Sequence, residues 1–174
     1  MQGERNNYAF IDWANLHKGI KAQGWSLDYR RFRVWLSEKY GVTKAYLFLG
    51  FLPWERSLYS QLSEAGFVLV HKELAYGDNG KIKANCDADL VLGVVVDYYE
   101  KCFDKALIVS SDGDFASLIR FLRAKNAFHS LVSPHKCSFL LKKLDVPIVY
   151  LNTQRDLLEL CPQKEKAPDG DETP

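Results

Sequence analysis

The sequence predicts a three-layer α/β/α fold on a mainly parallel central sheet. Three observations carry that expectation. Strand-like and helix-like segments alternate along the whole chain. Several strand-like segments are apolar without a break, as strands covered on both faces are. No internal repeat or second composition regime interrupts the pattern before the last residues.

In chain order, "YAFID" (8–12) is a short buried strand that closes on a carboxylate. "WANLHKGIKAQG" (13–24) follows as a helix. "SLDYRRFRVWLSEKYG" (26–41) reads as a second helix, with Leu27, Phe32, Trp35 and Leu36 on one face and Gly41 at its end. "TKAYLFLGF" (43–51) is a strand. "PWERSLYSQLSEAG" (53–66) has proline in its first turn and glycine past its end, the asymmetry of a helix. "FVLVHKEL" (67–74) is a third strand, and 76–86 reads as a loop around Gly-Asp-Asn-Gly. An acidic start and sufficient length make 87–102 a buried helix. "KALIVSS" (105–111) is the clearest buried strand. Helix 114–126, strand 127–133, helix 137–145, strand 147–151 and helix 153–160 complete the alternation.

The chain has 174 residues, 47% hydrophobic and 26% charged, which suits one globular domain. We expect that domain to span 1–161 and the polar tail 162–174 to be disordered. A net charge of +1 announces no phosphate-rich partner, so any basic surface must be local. The four cysteines have no zinc-knuckle or CxxC spacing and sit near apolar residues, so they read as reduced core residues. The N-terminus "MQGERNNY" lacks an apolar signal region, and the longest apolar run, 90–96, is too short to span a bilayer. These features exclude a membrane partner and point to the cytoplasm; a homo-oligomer stays open.

In an open parallel sheet, ligands bind outside the carboxyl ends of the strands. Asp12 ends the first strand, and Asp112 and Asp114 follow the strand at 105–111. If those strands are neighbours, three carboxylates share one rim. Asp87 opens the central helix, with Asp89 two residues on as a supporting acid. Clustered carboxylates repel, and a hard divalent cation such as Mg²⁺ or Mn²⁺ resolves the conflict. The chemistry that follows is hydrolysis of a phosphate ester. Each residue also has a plainer role. Asp12 can cap the next helix, Asp112 and Asp114 can flank a turn at Gly113, and Asp87 and Asp89 can favour a helix N-terminus. Capping alone does not require them all to converge on one edge.

Asn15 lies one turn after Asp12, near the same rim. Lys83, four residues before Asp87, can meet a phosphate or be a solvated loop lysine. Ser111 directly precedes Asp112. Trp13 and Trp54 follow strands and can stack on bases or fill core. "YRRFRVW" (29–35), with Arg120, Arg123 and Lys125, can track RNA phosphates or form solvated helix faces.

"FIDWANL" with its D-x-x-N, "KANCDADL" and "IVSSDGDF" occur in the order and spacing of the NYN domain. The chain resembles this PIN-like nuclease family over about residues 7–151, and its bacterial LabA-like branch looks closest. The resemblance implies a Rossmann-like, PIN-like α/β fold and an acidic metal pocket of Asp12, Asp87, Asp112 and Asp114, with Asn15 as the polar companion of Asp12. It implies a ribonuclease using Mg²⁺ or Mn²⁺, with RNA as partner. Many relatives carry a further aspartate six residues after the equivalent of Asp87. Here that residue is Gly93, and Asp89 and Asp97 are the nearest substitutes. An alternative is therefore a catalytically weak RNA-binding or protein-interaction module. A phosphatase of the haloacid dehalogenase type also ends strands on aspartates, but it wants a second one two residues after the first. That position is Ala14.

Overall fold

The structure, a computed structural model, describes residues 5–72, 75–76, 82–83 and 85–161. The tail 162–174 lies outside them. Strand β1 (Asn7–Asp12) leads into α1 (Trp13–Lys21). Helix α2 (Tyr29–Tyr40), β2 (Val42–Gly50), a 3-10 turn (Pro53–Glu55), α3 (Arg56–Glu64) and β3 (Val68–Lys72) follow. Next come β4 (Ala75–Tyr76), β5 (Ile82–Lys83) and α4 (Asp87–Tyr99). The second half holds β6 (Ala106–Val109), a 3-10 turn (Gly113–Phe115), α5 (Ala116–Ala124) and β7 (Phe128–Ser133). It closes with α6 (Phe139–Lys142), β8 (Ile148–Tyr150), a 3-10 turn (Leu151–Gln154) and α7 (Arg155–Leu158).

The main sheet has six strands in the order β3-β2-β1-β6-β7-β8, every pair parallel. Alternation within its strands explains the three layers. Ala9, Ile11, Leu47, Leu49, Leu107 and Val109 pack under α1, α2, α3 and α7 through Leu16, Ile20, Leu36, Leu62 and Leu158. Tyr8, Phe10, Phe48, Ala106 and Ile108 pack the other way, against Leu90, Val94, Leu118, Ile119 and Leu141 of α4, α5 and α6. Both faces are buried, so the period of two in orientation leaves no period of two in polarity.

Some boundaries move for local reasons. Helix α2 starts at Tyr29 because Asp28 caps it, accepting a bond from the Arg31 N–H at 3.0 Å. It stops where Gly41 takes a left-handed conformation (φ 64°), which a residue with a Cβ adopts at a cost. The segment expected as a loop at 76–86 takes in β5 and the last residue of β4, which pair antiparallel. The Gly-Asp-Asn-Gly run falls between them, outside the described residues. Among the described residues no helix is long and apolar enough to cross a membrane.

Candidate metal centre

From β1 the chain moves outward to β2 and β3, and from β6 it moves the opposite way to β7 and β8. The crevice between β1 and β6 is therefore the point where strand order reverses, and there the carboxyl ends of the strands open a ligand site. The strands are in register there, with Ile11 opposite Val109. Asp12 and the residues after Val109 meet at that rim.

Each aspartate does have its local structural role. Asp12 caps α1 and accepts a bond from the Asn15 backbone N–H (3.2 Å). Asp112 caps the turn at Gly113 and accepts one from the Asp114 N–H (3.0 Å). Asp87 is in the first turn of α4, its own N–H donating to Asn85 Oδ1 (2.8 Å). Capping and convergence occur together. Carboxylate oxygens of Asp87, Asp112 and Asp114 all lie within 4.8 Å of one another.

Asp12 stands beside this trio rather than within it. Its Oδ2 accepts a bond from the buried Ser110 hydroxyl (3.1 Å), and that same hydroxyl oxygen accepts from the Asp112 N–H (3.1 Å). Ser110 thus joins the two strand ends, a role that reading residues singly misses; the signal was the doubled serine before Asp112. The Asn15 side-chain oxygen accepts from the Ser111 N–H (2.8 Å) and hydroxyl (3.0 Å). Asn15 and Ser111 latch α1 to the segment carrying Asp112.

Burial holds the Asp12 carboxyl above its ordinary value, and the nearby Asp87 and Asp112 raise it further. The bonds from Asn15 and Ser110 oppose this. Asp87 is raised too, first by burial and then by Asp112 and Asp114, while Asn85 and Lys72 pull it down. A folded pKa above the unfolded value means the native state holds its proton longer. The contribution of these two groups to stability is then fully present below about pH 4 and is lost as pH rises through the raised values. Asn retains the capping geometry of Asp. Asp12→Asn is therefore expected to raise the melting temperature of the metal-free protein at neutral pH, with the advantage shrinking near pH 4. Thermal melts in chelator at both pH values check this.

The donor set fits a hard divalent cation. It offers oxygens only, from carboxylates whose mutual repulsion a cation relieves, and Asp114 is exposed, which leaves an open side for phosphate oxygens and water. Mg²⁺ and Mn²⁺ both match such ligands.

The remaining predicted residues divide. Asp89 pairs with Lys72 at the end of β3 (2.8 Å), and Lys72 also donates to the Asn85 carbonyl (2.9 Å). Asp89 thus neutralises a cation that sequence reading overlooked, because the lysine sits inside a strand-like run. Asp97 lies ten residues after Asp87, about 15 Å along the helix, grouped with Glu100 and Cys102 at the far end. The backbone of Lys83 is in β5, and its side chain lies outside the described residues. A Cβ on Gly93 would meet Phe48 Cζ at 3.1 Å, so an aromatic ring occupies that approach.

The basic stretch on α2 is largely committed within the protein. Arg33 donates to the carbonyls of Val42, Thr43 and Gly66, Arg31 pairs with Asp28, and Arg30 with Glu64. Arg123 donates to the Leu144 carbonyl. Those guanidiniums tie elements together while Arg30, Arg31 and Arg123 stay exposed, as do Arg120 on α5 and Lys125 at its end. Trp13 is half-buried and stacks on His17 (5.2 Å between centroids), and Trp54 is 68% exposed after β2.

One solved structure similar to the chain is that of a protein of unknown function from Vibrio parahaemolyticus. It has a TM-score of 0.76 and 20% identity, covering 92% of this chain and 99% of that one. At that identity the likeness supports the fold alone. No curated protein matches the sequence. The NYN domain matches residues 8–148, a span that contains β1 from its second residue, the crevice and every carboxylate of the centre. The chain belongs to the NYN domain family, within the PIN-like nuclease superfamily.

Proposed function

We propose that this protein is a metal-dependent ribonuclease that hydrolyses RNA phosphodiester bonds, most similar to the LabA-like branch of its family. The observation that carries this reading is the meeting of Asp87, Asp112 and Asp114 beside Asp12 at the point where strand order reverses. Asp87, Asp112 and Asp114 would hold Mg²⁺ or Mn²⁺, with Asp12 beside them. When bound, the ion supplies positive charge against the transition-state phosphoryl oxygens and lowers the pKa of water. Ser110 and the Asn15 N–H hold both oxygens of Asp12 in place. Burial makes that carboxylate a better proton acceptor than an exposed one, suited to a water proton. The assay is purified protein on single-stranded and structured RNA with Mn²⁺ or Mg²⁺. Cleavage that stops with chelator is expected; cleavage that survives chelator overturns the reading.

Gly93 carries no carboxylate, and a Cβ added there would meet Phe48 at 3.1 Å; this favours a second reading, an RNA-binding or interaction module with a weak pocket. Calorimetric titration with Mn²⁺ separates the two. Uptake lost in Asp112→Asn supports the nuclease, and no uptake by the wild type supports the module.

A further inference from the structure

A cleft of about 130 Å³ lies between α1 and the segment entering α2. Trp13, His17 and Lys21 recur every four residues along one side of α1, with Leu16 and Ile20 as the floor. Trp25, Ser26 and Tyr29 form the opposite wall. Trp13 and His17 are stacked at an interplanar angle of 28°, and Tyr29 is tilted against Trp13 at 5.7 Å. The buried Trp25 ring adds an indole N–H with no acceptor among the described residues.

Two features single this cleft out. Its first wall residue, Trp13, directly follows Asp12, so one end of the cleft opens beside the acidic crevice and the rest runs down α1 to Lys21. Its walls are aromatic and it carries an exposed cation, Lys21, whereas the crevice is acidic. Flat apolar faces beside a positive charge match a nucleobase with its own phosphate. Such stacking tolerates any base and adds about 1–3 kcal/mol per base.

We propose that this cleft is a nucleobase subsite that takes one unpaired base of an RNA strand whose backbone passes the metal centre. The substrate class is then single-stranded RNA, because a paired base cannot enter. The inference rests on the nuclease reading for what lies in the crevice, but binding is measured without catalysis.

The test uses the full chain with a short oligouridine in chelator. Wild-type protein should bind it with movement of the Trp13 and Trp25 indole resonances and none of Trp35, which packs against Phe32 and Tyr40. Trp13→Ala and Tyr29→Ala should each weaken binding about tenfold or more, and Trp13→Phe should restore most of it. A Trp54 shift alone, or unchanged affinity in both alanine variants while their spectra show an intact fold, overturns the subsite. Asp112→Asn separates the two ideas. If it stops cleavage while the cleft variants bind normally, the nuclease stands and the subsite falls. If the wild type cleaves no RNA with Mn²⁺, or cleaves equally in chelator, while the cleft variants lose binding, the subsite stands and the nuclease reading falls.

Discussion

Asp112→Asn should lower metal-dependent RNA cleavage about a thousandfold while leaving the metal-free fold intact, within about 0.5 kcal/mol. The two effects separate because Asp112 has two jobs. Its Oδ1 accepts the Asp114 N–H and starts the turn into α5. An asparagine oxygen accepts that bond equally well. Its charge is the other job, and that is lost. The thermal shift on adding Mn²⁺ reads the charge directly. At a hundredfold excess over the dissociation constant, binding adds about 2.7 kcal/mol, a rise of about 5–10 °C for a chain this size. Wild type should show that rise and Asp112→Asn should not. Asp97→Asn is the control: it removes an aspartate at the far end of α4 and should keep both cleavage and shift. Equal loss in the control would mean the acidic face of α4 matters as a whole rather than the trio.

Gly93→Asp puts a carboxylate where the family resemblance implies one, and here it should destabilise the fold by about 1–3 kcal/mol rather than raise activity. The reason is Phe48. The added Cβ would lie 3.1 Å from the Phe48 Cζ. That ring packs against both Phe10 and Tyr46, with centroids 6.5 and 6.2 Å away, and Phe10 is fully buried. It has little room to withdraw. Gly93→Ala meets the same contact without the charge, and its gain in helix propensity, up to about 1 kcal/mol, offsets the crowding. It should be nearly neutral. Adding Phe48→Leu to Gly93→Asp should recover part of the loss, a coupling that a double-mutant cycle in urea measures. A Gly93→Asp protein as stable as wild type and more active would show that the helix turns its residue 93 toward the crevice.

The alternation of elements and the carboxyl-rim positions of Asp12 and Asp112 were legible because both follow from local chemistry. Unbroken apolar runs signal strands covered twice, and a polar residue after such a run must sit at an edge. The helix start at Asp87 was legible for the same reason. The arginines of "YRRFRVW" were not, since their partners are carbonyls at Val42, Thr43 and Gly66 that become neighbours only after folding. Lys72 was hidden because a strand's last residue looks like any other strand residue until its edge is known. The hairpin of β4 and β5 was too short to show a period.

By itself, then, the sequence determined the α/β class, the order of the elements and which carboxylates end strands or begin helices. Tertiary structure decided which of those carboxylates meet. Strand order placed β1 beside β6, and α4 brought Asp87 to the same crevice. It set Asp12 apart on Ser110, paired Asp89 with Lys72 and closed the approach at Gly93 with Phe48. The physical reason is the range of the forces. Propensity, capping and hydrophobic period act over a few residues. Charge repulsion and close packing act over a few ångströms, between residues that can be a hundred positions apart in the chain.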